Sequence, residues 1–160
     1  MSSGGGLIRL QVKLASFTSW QVGGAAEFFA EPKTTNELQA AVSFARERGL
    51  PITVLGGGTN VLVSDRGIKG LVLGLYRLTG FELEVTGTPS RVKVAALAGT
   101  SKSELLRIFL KHKLEPALFL AGIPGDTGGG VVMNAGIGEQ IAPREFVDIT
   151  DWVEVLRWND

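Results

Sequence analysis

The chain has 160 residues, 44% of them hydrophobic, which suffices for one buried core and suggests a single domain, with room for two lobes. Sixteen basic and sixteen acidic residues cancel to a formal net charge of zero, so no basic field exists to hold a nucleic-acid backbone or an anionic membrane, and both are excluded as expected partners. Cysteine is absent, which removes disulfides, thiolate nucleophiles and thiolate metal sites together.

No run reaches the ~18 apolar residues of a membrane span, and the amino terminus lacks the basic-then-apolar order of a signal peptide. A cytoplasmic location is therefore expected. Residues 1–16 read as a leader and first strand, with residues 2–6 set aside as flexible.

Glu27-Phe-Phe-Ala30 is a strand candidate that Pro32 ends. Thr34-Thr-Asn-Glu37 makes a capping box, opening a helix whose apolar residues Leu38, Ala41, Val42 and Ala45 recur at helical spacing and whose left-handed stop is Gly49. Pro51-Ile-Thr-Val-Leu55 reads as a buried strand, completing a strand, helix, strand unit of about thirty residues. Asp65-Arg-Gly67 marks a turn and Leu71 to Leu75 another strand.

From Phe81 the texture changes. Phe81 to Val85 and Arg91 to Ala95 alternate apolar and polar residues around Gly87-Thr-Pro-Ser90, the pattern of an antiparallel hairpin. Ser101-Lys-Ser-Glu104 is a second capping box, opening a helix to about Lys113 with Leu105, Leu106, Ile108, Phe109 and Leu110 as its apolar set. Val153 to Leu156 reads as one more strand, and Trp152 and Trp158 as core or as a face that further chain would cover.

Two glycine clusters carry the functional signal. Leu55-Gly-Gly-Gly-Thr-Asn60 follows a strand, at the carboxyl end where open sheets bind ligands. Gly122-Ile-Pro-Gly-Asp-Thr-Gly-Gly-Gly-Val-Val-Met-Asn-Ala-Gly136 holds six more glycines in an expected loop. Consecutive amides without Cβ atoms form a cradle for phosphate oxygens, to which Thr59 and Asn60 add side-chain donors. A tight strand-to-strand turn is the plainer alternative for the first cluster.

Neither common nucleotide loop fits there. Val61-Leu-Val63, read as strand-like, follows where a dinucleotide fingerprint or a P-loop needs a helix, and no lysine closes the loop. A helix dipole is therefore not expected to supply the attraction. The single histidine, His112, sits among Lys111 and Lys113 and reads as a solvated helix end. No catalytic residue and no metal-ligand spacing is assigned.

Thr18-Ser-Trp-Gln-Val-Gly-Gly24, Val54 to Asp65 and Ala121 to Gly136, taken in that order, resemble UDP-N-acetylenolpyruvoylglucosamine reductase, and the likeness runs from Phe17 to Asp160. It implies an α+β fold, a two-lobed FAD-binding domain of the vanillyl-alcohol-oxidase (PCMH) type. A βαβ lobe at 17–78 precedes a mixed or antiparallel lobe at 79–160, without the substrate-binding domain.

The resemblance implies that Gly56, Gly57, Gly58, Thr59 and Asn60 hold the FAD pyrophosphate. Ile123, Pro124 and Gly125 would pass beside the flavin, Gly128, Gly129 and Gly130 would offer amides to phosphates and ribityl chain, and Asn134, Ala135 and Gly136 would close the site. FAD would be non-covalent, since no histidine lies near the first loop. NADPH would be the electron donor and a UDP-sugar the substrate, reduced to UDP-N-acetylmuramate for peptidoglycan.

Two positions depart from the family's pattern. Asp126 stands near the implied phosphates, where its charge weakens binding unless it faces solvent or pairs with a cation. The Asn134-Ala-Gly-Ile-Gly138 close is one residue short and lacks a tyrosine.

The family's catalytic arginine, serine and glutamate lie beyond the matched segment, and Arg144, Arg157 and Ser103 stand in no such motif. The chain is therefore expected to be a catalytically incomplete piece, prone to self-associate through an exposed apolar face. A stand-alone flavin- or nucleotide-binding module, or the FAD half of another oxidase of the same fold, are the alternatives.

Overall fold

The computed structural model describes residues 6–85, 92–114, 117–138 and 145–158. The expected leader residues 2–5, the hairpin turn Gly87-Thr-Pro-Ser90 and Arg144 lie outside them. The chain divides into two compact units, Met1–Leu78 with Arg157–Asp160, and Thr79–Leu156.

The first unit is built on a four-stranded sheet of β1 (Ile8–Lys13), β2 (Ala25–Ala30), β3 (Ile52–Leu55) and β4 (Ile68–Gly74), in the order β1-β2-β4-β3. β1 runs antiparallel to β2, and β4 is parallel to both β2 and β3. β4 therefore lies between the two strands of the strand, helix, strand unit. That place explains its unbroken Leu71-Val72-Leu73 run, in which Leu71 and Leu73 bury toward one face and Val72 toward the other. β3 is an edge strand with Val54 47% exposed, so the expectation of a fully buried strand is corrected.

Helix α1 (Thr35–Glu47) covers one face of this sheet. The Thr34 hydroxyl accepts the Glu37 amide at 3.2 Å, while the Glu37 carboxylate reaches back to the Lys33 amide at 2.7 Å, one residue before the position a capping box specifies. Ala41, Val42 and Ala45 bury against Ala30, Leu71 and Leu73. The small alanines let helix and sheet approach closely, and Gly49 at φ +61 ends the helix as expected. On the opposite face Leu14, Phe29, Leu55, Val63 and Val72 form a second cluster with Phe17, Val61 and Tyr76 packed on it. A bulge between Ala26 and Phe28 turns the Glu27 carboxylate to the Gly70 amide at 2.8 Å.

The second unit holds the antiparallel pair β5 (Phe81–Val85) and β6 (Val92–Ala96), then α2 (Lys102–Lys111), α3 (Ala117–Leu120) and α4 (Thr127–Val132). The Ser101 hydroxyl caps α2 by accepting the Glu104 amide at 3.2 Å. Leu105, Ile108 and Phe109 bury with Phe119, Leu120 and Phe146, the last two phenylalanines meeting edge to face at 5.8 Å. Leu110, expected in that apolar set, is 60% exposed because it sits on the far side of the helix.

One further expectation is corrected. Val153 to Leu156 is not a strand, since no other strand runs beside it among the described residues and a lone extended segment has no ladder. Of the two readings of Trp152, core or a face that further chain would cover, its 64% exposure excludes the core. The α+β class expected from the sequence is observed.

Candidate functional site

In the first unit, Leu55 pairs with Gly74 where the parallel strands β3 and β4 end, and the loop 56–60 leaves from there. Gly57, Thr59 and Asn60 are exposed, whereas Gly58 is buried at φ +65. A Cβ on Gly58 would overlap the Phe17 carbonyl oxygen and come within 2.9 Å of the Thr18 Cα, so no other residue fits. The Gly58 carbonyl in turn accepts the Ser19 amide at 3.0 Å.

Segment 17–22 thus backs the loop. Thr18 is 6% exposed, and its hydroxyl donates to the Val22 carbonyl at 3.2 Å, holding the segment's own turn. The loop is fixed on its inner side at Gly58 and exposes Gly57, Thr59 and Asn60, residues whose amides, hydroxyl and carboxamide are the kind of donors an anion needs.

Val61-Leu-Val63 does not form a strand. Its alternation is real, with Leu62 73% exposed and Val63 5% exposed, but it packs Val63 beneath Gly23, and the neighbouring Ser64 carbonyl accepts the Gly24 amide at 2.9 Å. Period-two burial arises here from one anchored side chain rather than from a ladder. No helix follows the loop, as expected.

In the second unit, residues 98–102 act as a template under residues 124–128. The Lys102 amide donates to the Gly125 carbonyl at 3.1 Å, the Thr127 amide and hydroxyl donate to the Thr100 carbonyl at 2.8 and 2.7 Å, and the Gly128 amide donates to the Ala98 carbonyl at 2.8 Å. Lys102 itself is buried, and its Nζ donates to the Pro124 carbonyl at 2.8 Å.

The expected glycine loop contains the one-and-a-half-turn helix α4, with Asp126 as its N-cap residue. Glycine is a poor helix former, so tertiary packing decides this segment. A Cβ on Gly130 would stand 2.5 Å from the Phe146 ring and 2.8 Å from Lys102 Cε, and one on Gly128 would stand 2.9 Å from the Ala98 Cβ. At Gly129 a Cβ would meet nothing.

The three glycines therefore differ in role. The Gly128 amide is held by Ala98 and the Gly130 amide by the Asp126 carbonyl at 2.9 Å, so the expectation that both serve a ligand is corrected. Gly129 is exposed.

Asn134 ends α4 at φ +43, and its Oδ1 accepts the Val147 amide at 2.9 Å, which leaves its carboxamide N–H groups outward. The Ala135 amide donates to Gly130 and the Ala135 carbonyl accepts from Phe146, while Gly136 is exposed beside it. Ile123 packs on the hydrophobic cluster, and Pro124 is exposed.

Asp126 faces a cation, Lys102. Burial pushes the Lys102 ammonium below its ordinary pKa, and the Asp126 charge draws it back up. Lys102 is the residue sequence reasoning missed. One place after a helix cap it looks like a solvated first-turn side chain, and only the packing of Phe146 and Gly130 around it shows otherwise. His112 is the C-cap of α2, as its surroundings implied. No group of three or more His, Cys, Asp or Glu residues poised for a metal occurs among the described residues, and no helix there is long and apolar enough to cross a membrane.

Residues 26–159 match the family described as FAD binding domain. The UDP-N-acetylenolpyruvoylglucosamine reductase of Synechococcus sp. (strain WH7803) is 38% identical over 156 residues, covering 97% of this chain and 47% of that protein. The enzyme of the same name from Desulforamulus reducens is 40% identical over 131 residues, covering 82% and 42%. The crystal structure of UDP-N-acetylenolpyruvylglucosamine reductase (MurB) from Thermus caldophilus superposes with a TM-score of 0.58 at 30% identity, over 81% of this chain and 44% of that one. The chain spans about half the length of the curated relatives it matches.

Proposed function

The chain belongs to the FAD binding domain family and matches the FAD-binding part of UDP-N-acetylenolpyruvoylglucosamine reductases, and from that premise we propose how its residues hold the cofactor. Gly56, Gly57, Gly58, Thr59 and Asn60 hold the pyrophosphate of FAD. Ile123, Pro124 and Gly125 lie along the flavin, Gly129 offers its amide, and Asn134, Ala135 and Gly136 complete the second segment. The observation that carries this reading is the first loop: exposed Gly57, Thr59 and Asn60 on a backbone that Gly58 and Phe17 lock in place.

The residues fit the group. Exposed amides suit phosphate oxygens, the inner side of the loop admits no competing side chain, and the Lys102 charge offsets that of Asp126. Bound FAD supplies a hydride carrier, and this chain's part is to bind and orient it. Binding is non-covalent, since the chain's single histidine is at the end of α2.

In the wider reading, the protein of which this sequence forms the FAD-binding part reduces UDP-N-acetylenolpyruvoylglucosamine to UDP-N-acetylmuramate with NADPH, in the cytoplasm, for peptidoglycan. The relatives' names support the reduction of UDP-N-acetylenolpyruvoylglucosamine. No residue of this chain is given a catalytic role. The exposed Trp152, Val153 and Val155 support self-association of this chain as well. Titration with FAD, followed by flavin fluorescence and visible absorbance, tests the cofactor assignment.

A further inference from the structure

Among the described residues Lys102 is the single charged side chain that is buried, at 4% exposure. A lysine is rarely placed so unless its charge is used or held, because burying an ammonium costs several kcal/mol. Its Nζ is fixed on the Pro124 carbonyl at 2.8 Å, its own amide on the Gly125 carbonyl at 3.1 Å, and its stem lies against Gly130, with Nζ 5.7 Å from the centre of the Phe146 ring. Nothing larger than glycine at position 130 leaves room for that stem.

The Pro124 carbonyl and the Gly125 N–H are the two ends of one peptide group. A cation on the carbonyl draws electron density away from the nitrogen, so the N–H opposite becomes a stronger donor. Gly125 stands at φ +95, a conformation that sets this peptide apart from the helix that begins two residues later.

We propose that Lys102 is a positioning residue for the flavin: its ammonium, clamped to the Pro124 carbonyl, polarises the Pro124–Gly125 peptide so that the Gly125 N–H favours reduced over oxidised flavin. The inference rests on the FAD reading above and deepens it. Reduced flavin carries the greater negative charge, so a charge-assisted donor binds it more tightly and raises the midpoint potential. A charge-assisted hydrogen bond is about twice as strong as a neutral one. Loss of the assistance lowers the affinity ratio, reduced over oxidised, by about tenfold, equivalent to about 30 mV for a two-electron couple.

The chain has no cysteine, which permits a clean chemical rescue. Lys102→Met removes the charge at nearly constant shape. Lys102→Cys, alkylated with 2-bromoethylamine while unfolded and then refolded, restores an ammonium at the same reach, and iodoacetamide gives a neutral counterpart if the methionine variant does not fold. The measurement is the midpoint potential of FAD bound to each full chain, with the affinity for oxidised FAD alongside.

The expected result is a lower potential in both neutral forms and recovery in the aminoethylated form. Equal potentials in charged and neutral forms that all bind FAD overturn the role of Lys102 and leave the FAD reading standing. Failure of the unmodified chain to bind FAD overturns both.

Discussion

The carbonyl oxygen of Phe17 occupies the space in which a side chain of residue 58 would stand, and Gly58 answers with φ +65 and a carbonyl that accepts the Ser19 amide at 3.0 Å. Two stretches of chain forty residues apart are thereby fixed to one another, and the outward face of the first glycine loop inherits that rigidity. A flexible loop would lose entropy on closing around an anion, whereas this one has lost it on folding.

Gly58→Ala therefore incurs both a left-handed backbone penalty and a steric overlap. A loss of about 2–6 kcal/mol in unfolding free energy is expected from urea denaturation, the sum of typical strain and overpacking costs. Unchanged stability would show that the Phe17 contact does not constrain the loop.

The helical glycines separate in the same way. Gly130→Ala drives a methyl to 2.5 Å from the Phe146 ring and is expected to cost about 1–3 kcal/mol. Gly129→Ala meets nothing and removes glycine's unfolded-state entropy, so it is expected to stabilise by about 0.4–1 kcal/mol. Thermal unfolding of the two variants side by side checks the contrast, and a Gly129→Ala variant less stable than Gly130→Ala contradicts it.

The elements legible in the sequence are those whose signal is local. α1 shows its cap at Thr34, its buried face at Ala41, Val42 and Ala45 and its stop at Gly49, all within fifteen residues. The hairpin strands β5 and β6 show period-two alternation, and the family's ordered motifs point to the two site segments. What escaped is set by partners distant in sequence. Val54 is exposed because β4, not β3, takes the middle of the sheet. Residues 127–132 are helical because Thr127 is held by Thr100 and Gly130 by Phe146, against the propensity of three glycines. Lys102 is buried because of that same packing, and nothing in its own neighbourhood announces it.

The buried lysine also sets a pH dependence. Its pKa is lowered in the folded chain relative to the ordinary 10.5, chiefly by burial. Between the folded value and 10.5 the unfolded chain binds more protons than the folded one, so stability rises with pH through that window. Lys102→Met is expected to lack this alkaline gain. Urea denaturation of both forms at neutral and alkaline pH measures it, and a wild-type stability that falls more steeply than that of the variant over the window refutes it.

Trp152, Val153 and Val155 present apolar surface at 64, 53 and 64% exposure within one short segment. Light scattering of the purified chain is expected to show a mass that grows with concentration, and Trp152→Ser with Val155→Ser to reduce that growth. A monodisperse monomer at high concentration contradicts the self-association.

The most direct measurement is an equilibrium titration of the folded chain with FAD, set beside the same titration of Gly57→Leu. Gly57 is exposed, so a leucine there leaves the fold standing and puts a side chain where the pyrophosphate is placed. The account predicts one FAD per chain, a shifted visible spectrum, and loss of binding by at least about tenfold in the variant, the equivalent of losing one charge-assisted hydrogen bond. A natively folded chain that binds no FAD, or a Gly57→Leu variant that binds it as well as the unaltered chain, would contradict it.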